Sequence, residues 1–179
     1  MAFIIWFRHL PHIHMNLLEW TPFIQNDWYR KHYMKFVYLL QVILFLLPNV
    51  FGTHFTHQNI FFLIAISILV FIIHECLHIL VVYKEGDISL TFSGIFFWLH
   101  TNAVLSKPRF WLFMTLPFIG LTIVPAVLSF SVSGDLQSIL LFVSWINAII
   151  SAADIYNSVL IAIKPKNSIF CRGYFQVKS

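Results

Sequence analysis

Residues 60–83 read, in one-letter code, IFFLIAISILVFIIHECLHILVVY. A helix needs about 20 predominantly apolar residues to cross a bilayer, so this stretch is long enough to span a membrane. Across the chain of 179 residues, 59% are apolar and only 10% are charged, whereas a soluble domain carries about 25% charged residues. This composition excludes a soluble enzyme, a disordered chain and a disulfide scaffold, and it predicts an integral membrane protein.

Three further stretches of the chain are apolar and long enough to cross a membrane. We therefore predict an all-α integral membrane protein with four transmembrane helices, over about Phe36–Phe51, Ile60–Tyr83, Phe110–Phe130 and Leu136–Ile163. The sequence shows no internal repeat, no low-complexity tract and no sign of a second domain. Residues 1–179 are therefore expected to form a single membrane-embedded domain.

The 11 lysine and arginine residues are distributed unevenly along the chain. They precede the first predicted span, follow the fourth, and occupy the Lys84–Arg109 loop between the second and third. Cytoplasmic loops carry an excess of these residues, which predicts a multi-pass cell-membrane protein with both termini and this loop in the cytoplasm. The net charge of +4 is then a consequence of topology rather than a sign of nucleic-acid binding.

Four ionisable residues fall inside the predicted spans: His74, Glu75, His78 and Asp154. On a helix, residues 74 and 78 are about one turn apart, so both imidazoles point to the same side. Two neutral imidazoles at this spacing can bind one Zn²⁺, while Glu75 stays off the metal and acts as a general base. Asp154 is expected at a similar depth in the inner half of the bilayer, which makes it the candidate third ligand.

Polar residues in the fourth predicted span recur at intervals of three and four, which places them on one helical face. They are Ser144, Asn147, Ser151, Asp154 and Ser158. Asn147 and Ser151 are candidates either to bind the substrate backbone or to orient the metal ligands. Simple helix packing through small polar residues is the alternative.

The third predicted span contains three residues that weaken a helix, namely Pro117, Gly120 and Pro125. Proline removes a backbone N–H and distorts the preceding turn. We therefore expect a loosened backbone here that can move as a gate.

The cytoplasmic loop has the pattern of a strand over residues 87–93, where polar and apolar side chains alternate. The following Ile95–Leu99 is too apolar to lie in water. These two segments predict a short β-hairpin that re-enters the inner membrane face, with a free edge that binds an unwound substrate as an added strand. An amphipathic interfacial helix is the alternative.

The chain resembles the zincin peptidase family of small bacterial membrane proteins, which is similar in plan to the site-2 intramembrane zinc metalloproteases. The resemblance covers most of residues 60–160 and rests on the HECLH sequence at 74–78, the Gly86-Asp87 turn, Leu116-Pro117-Phe118 and Asp154. It implies a zinc-dependent peptidase that acts on a membrane protein or membrane-associated peptide. His74, His78 and Asp154 would be the metal ligands and Glu75 the catalytic base.

Other interpretations of these residues stay open at this point. The embedded histidines and carboxylates also suit a metal-ion transport or sensing site, or a catalytically silent scaffold that binds membrane segments. Cys76 is expected to pack away from the histidines. His9, His12 and His14 are expected at the membrane interface, with a second metal site as the alternative.

Overall fold

A computed structural model describes residues 4–6, 19–50, 59–93 and 96–178 of the chain. Within this part of the chain, helices dominate and short strands form two small sheets. The predicted histidine group of His9, His12 and His14 lies outside the described residues.

The described residues contain six α-helices and one π-helical turn, and three of these elements follow one another without a break. The α-helices are α1 (Asp27–Val50), α2 (Ile60–Val82), α3 (Lys107–Phe118), α4 (Val124–Ser129), α5 (Asp135–Ile150) and α6 (Ala152–Ala162), and the π-helical turn is Ile119–Ile123. Asn59 begins α2, where its side-chain oxygen accepts a hydrogen bond from the Phe61 amide at 2.8 Å.

Two helices of the described chain are long and apolar enough to cross a membrane: α2, and the continuous helix Lys107–Ser129. The pair α5 and α6 makes a third if it forms one bent span. Large apolar side chains cover the outside of these helices, with Phe61 78% and Leu80 68% exposed on α2. These features are consistent with a membrane protein. The count of four spans stays a prediction.

The fourth predicted span is not one continuous helix, so that part of the prediction is wrong. Helices α5 and α6 meet at an angle of 63°. Ser151 stands between them with φ −75° and ψ 4°, in the sparsely populated region between helix and strand. A serine hydroxyl competes for hydrogen bonds with nearby groups, which favours such a break. The break places Asp154 in the first turn of a new helix.

The two strands of the predicted β-hairpin are present, and the alternative interfacial helix does not form. The re-entry of this hairpin into the membrane face stays a prediction. Strand β3 (Ile88–Ser93) pairs antiparallel with β4 (Phe96–Thr101). One edge of the hairpin is not free, however, because β1 (Ile4–Trp6) pairs in parallel with the other side of β3. A segment far away in sequence thus occupies the β3 edge, and β4 lies at the edge of this sheet.

A second sheet, which the sequence analysis missed, joins two strands of the C-terminal tail to two short strands from earlier in the chain. Its strands are β2 (Thr21–Pro22), β5 (Leu105–Ser106), β6 (Ser168–Cys171) and β7 (Tyr174–Val177), in the order β2-β7-β6-β5. Arg172 and Gly173 have φ of 44° and 77°, as the two central residues of a type I′ hairpin turn require. The signal was available in the aromatic-rich runs on both sides of Arg172-Gly173.

Two basic side chains at the start of α3 fasten it to neighbouring helices. Arg109 pairs with Glu85 at 2.7 Å, and its Nε donates to the Val81 carbonyl at 3.3 Å. Lys107 donates to the Ala162 carbonyl, at the end of α6, at 2.8 Å. These contacts fix the ends of α2, α3 and α6 relative to one another, and these helices carry the candidate site.

Candidate metal centre

His74 and His78 lie on the buried face of α2, as their spacing predicted. They are only 2% and 5% exposed, and their ring centroids are 4.8 Å apart. Cys76, between them in sequence, is exposed on a different face. This confirms the expectation that Cys76 packs away from the histidines.

The His78 ring is held by the main chain of α3. Its Nδ1 lies 2.7 Å from the carbonyl oxygen of Phe113, and the His78 ring packs on the Phe113 ring at a centroid distance of 4.6 Å. A carbonyl can only accept a hydrogen bond, so Nδ1 carries the proton. In the neutral imidazole, Nε2 then presents its lone pair.

The His74 ring is held by the side chain of Asn147. Nδ1 of His74 lies 2.9 Å from Asn147 Oδ1. The Asn147 amide nitrogen faces acceptors, at 2.9 Å from Thr122 Oγ1, 3.1 Å from the Pro117 carbonyl and 3.2 Å from Ser151 Oγ. These acceptors set the orientation of the amide, so its oxygen faces His74 and accepts the Nδ1 proton.

Asp154 completes a group of three converging ligand atoms. Its Oδ2 lies 3.1 Å from His74 Nε2 and 3.3 Å from His78 Nε2, while the two Nε2 atoms are 3.1 Å apart. Asp154 stands in the first turn of α6, where the helix N-terminus favours a carboxylate. Among the described residues, these three side chains form the group of His, Cys, Asp and Glu that can hold one metal ion.

The geometry of this group fits a zinc ion. A tetrahedral ion with ligands at 2.0–2.1 Å places its ligand atoms about 3.3–3.4 Å apart, close to the observed 3.1–3.3 Å. With both imidazole protons on Nδ1, the three facing atoms are all acceptors, and such atoms attract a cation to their centre. Three protein ligands are typical of catalytic zinc sites, where a water or substrate is the fourth.

The structure brings the predicted ligands together and places the other predicted residues around them. Glu75 is half-buried on α2 beside His74 and lies outside the converging group. Asn147 and Ser151 are both fully buried. Of the two roles predicted for them, this burial favours orienting the ligands over contacting substrate.

The sequence analysis missed Phe113, because its contribution comes from a main-chain carbonyl that gives its side chain no signature. The second cysteine, Cys171, is not a member of the converging group. It is buried in β6, and this burial raises the pKa of its thiol, which keeps it protonated.

Comparison with known protein families now adds to this geometry. A family model described as "Putative zincin peptidase" (DUF3267) matches residues 67–169, more than half of the chain and the whole of the converging group. The chain belongs to this family. Comparisons with curated proteins and with solved structures give no match. Family membership supports a zinc metallopeptidase, while the similarity in plan to site-2 proteases stays a prediction.

Proposed function

We propose that this protein is a zinc-dependent peptidase that cleaves membrane-associated proteins or peptides within or beside the bilayer. The observation that carries the proposal is the convergence of His74 Nε2, His78 Nε2 and Asp154 Oδ2 within 3.1–3.3 Å. Family membership is independent support, because it comes from comparison of sequences rather than from these distances.

The residues of the site divide the chemistry among them. A bound zinc ion supplies a Lewis acid that polarises the scissile carbonyl and lowers the pKa of water. His74 and His78 would hold the ion through Nε2, since their protons lie on Nδ1, and Asp154 would add a negative charge. Glu75 removes a proton from the attacking water and delivers it to the leaving amine, so the peptide C–N bond is replaced by C–O.

The proposed membrane arrangement has four spans, with α1, α2, the helix Lys107–Ser129 and the α5–α6 pair each crossing once. The basic residues at both termini and in the loop after α2 support cytoplasmic locations for these segments. His74 and His78 are eight and four residues from the end of α2 at Val82, or about 12 and 6 Å along the axis. The metal centre therefore lies in the cytoplasmic half of the bilayer.

A substrate must be extended before cleavage, because a helix hides its carbonyl groups in its own hydrogen bonds. The β3–β4 hairpin follows α2 after a short connection and offers backbone groups for an added strand. Because β1 already pairs with the β3 edge, the edge of β4 is the one that an added strand would use.

The test compares the protein with its Glu75→Gln variant, both expressed in the same host membranes. Labelling of protein N-termini followed by mass spectrometry reports new cleavage products from any substrate present in those membranes. We expect new termini with the wild-type protein and none with Glu75→Gln, while both proteins bind zinc equally. Asp27→Asn is the matched control, because the exposed Asp27 pairs with Arg30 at the start of α1, outside the metal centre, and it should cleave like the wild type.

Three results would contradict the proposal in different ways. Equal cleavage by Glu75→Gln and the wild type would remove Glu75 as the base. Zinc-containing protein that yields no new termini would favour the transport or scaffold alternatives. Wild-type protein that binds no metal would remove the zinc centre itself.

A further inference from the structure

The helix Lys107–Ser129 lacks one hydrogen bond at the position that faces His78. In an α-helix, the N–H of each residue donates to the carbonyl four residues earlier. Residue 117 is proline, so it has no N–H to offer the carbonyl of Phe113. That carbonyl instead accepts the Nδ1 proton of His78, at 2.7 Å.

We infer that Pro117 is a positioning residue for the metal ligand His78, an inference that rests on the zinc centre proposed above. The missing N–H leaves the Phe113 carbonyl available to an outside donor. The proline ring also displaces this carbonyl from the helix axis. The carbonyl keeps the His78 proton on Nδ1, so the Nε2 lone pair faces His74 and Asp154.

Pro117 also contributes to the other histidine through its own carbonyl. This oxygen lies 3.1 Å from Nδ2 of Asn147, the amide whose oxygen holds His74. The side chain of Pro117 is fully buried, and the π-helical turn Ile119–Ile123 begins two residues later. The same stretch of helix thus contacts both imidazoles, directly at His78 and through Asn147 at His74.

The same helix supplies a matched control in Pro125. Pro125 likewise has no N–H to donate to the preceding helical turn. The hydrogen bonds that hold His74 and His78 use Phe113 and Asn147 instead. A general effect of proline on this helix therefore appears in both variants, whereas an effect on His78 appears only at position 117.

The experiment uses full-length, detergent-purified Pro117→Ala and Pro125→Ala proteins. Zinc affinity is measured by competition with a chelator, and the ligand geometry by the visible absorption of the Co²⁺-loaded protein. In Pro117→Ala the restored N–H competes with His78 for the Phe113 carbonyl, so we expect zinc affinity to fall about 10–100-fold. The melting temperature of the metal-free protein should stay equal or rise, because a helix hydrogen bond is regained.

Pro125→Ala should keep wild-type zinc affinity and the wild-type Co²⁺ spectrum. Unchanged zinc affinity in Pro117→Ala, or an equal loss in both variants, would overturn the inference. The inference would also be overturned if Pro117→Ala lost zinc affinity together with metal-free melting temperature, or failed to fold. Either result would mean that Pro117 only maintains the shape of the helix. Pro117→Val restores the same N–H with three side-chain carbons, as in proline, and it should behave like Pro117→Ala.

These outcomes separate this inference from the proposed function. Wild-type protein that binds no zinc defeats the zinc centre and the inference together. If the wild-type protein binds zinc and cleaves through Glu75, the proposed function stands. Unchanged zinc affinity in Pro117→Ala would then contradict only the role of Pro117.

Discussion

His74 and His78 lie one turn apart on α2, yet two different regions of the molecule hold them. On the His78 side, the acceptor is the main-chain carbonyl of Phe113 in α3. On the His74 side, it is the side-chain oxygen of Asn147 in α5. Both contacts keep the imidazole proton on Nδ1, but only the second depends directly on the identity of a side chain. Substitutions can therefore remove the acceptor of His74 directly, but can change the acceptor of His78 only through the backbone.

The largest loss of bound zinc should come from removing the candidate ligands themselves. These variants test whether His74 and His78 contribute equally to zinc binding. We expect His74→Ala and His78→Ala to lose stoichiometric zinc to the same extent, because each removes one of three protein ligands. Asp154→Asn should retain more zinc, since the amide keeps an oxygen but not the charge. Elemental analysis of the purified proteins measures all three, with His100→Ala, on β4, as the control that keeps its zinc. Full zinc content in either alanine variant would show that the two histidines do not share one ion.

A smaller loss of zinc affinity should follow substitution of Asn147, which changes the hydrogen bond to His74 and not the one to His78. Asn147→Ala removes the acceptor for His74 Nδ1, and we expect zinc affinity to fall about 10–100-fold. Asn147→Asp should lose less, because a carboxyl group that is protonated toward the Pro117 carbonyl still accepts the Nδ1 proton. Chelator competition measures both affinities. Equal losses in the two variants would mean that Asn147 acts through packing rather than through its oxygen.

Substituting the groups that orient Asn147 should lower zinc affinity still less. Thr122→Val and Ser151→Ala each remove one of several acceptors around the same amide nitrogen. A single hydrogen bond contributes about 1 kcal/mol, so each should lower zinc affinity by about fivefold or less. Ser158→Ala is the control, since this hydroxyl donates within its own helix to Ile155. A loss as large as that of Asn147→Ala would place the substituted residue in direct contact with the metal centre.

The smallest effect should come from the exposed face of α2. Cys76→Ser changes a side chain that is exposed, although it lies between the two histidines in sequence. We expect unchanged zinc content and an unchanged Co²⁺ absorption spectrum. Loss of a thiolate absorption band in the variant would instead show that Cys76 reaches the metal.

The candidate ligands could be found in the sequence because an ionisable side chain in an apolar stretch stands out. His74, His78 and Asp154 were found in this way, and the match in depth between the second and fourth predicted spans agrees with their contact. The β3–β4 hairpin was predicted from its alternation. In each case, the signal lies in side-chain types that can be read from a short stretch of sequence.

The missed features depend on the main chain or on distant contacts. The break at Ser151 has no proline or glycine to mark it, and it depends on the serine's surroundings. The role of the Phe113 carbonyl leaves no trace in the Phe113 side chain, and the corresponding signal lies four residues later at Pro117. The pairing of β1 with β3 joins segments more than 80 residues apart, which a local pattern does not encode.

The central claim is that His74, His78 and Asp154 hold one zinc ion. Its most direct test is the metal content of detergent-purified wild-type protein, measured by elemental mass spectrometry beside the His74→Ala variant. The account predicts about one zinc per wild-type chain, as expected for a single three-ligand site, and its loss in the variant. Wild-type protein without metal, or equal zinc in both proteins, would contradict it.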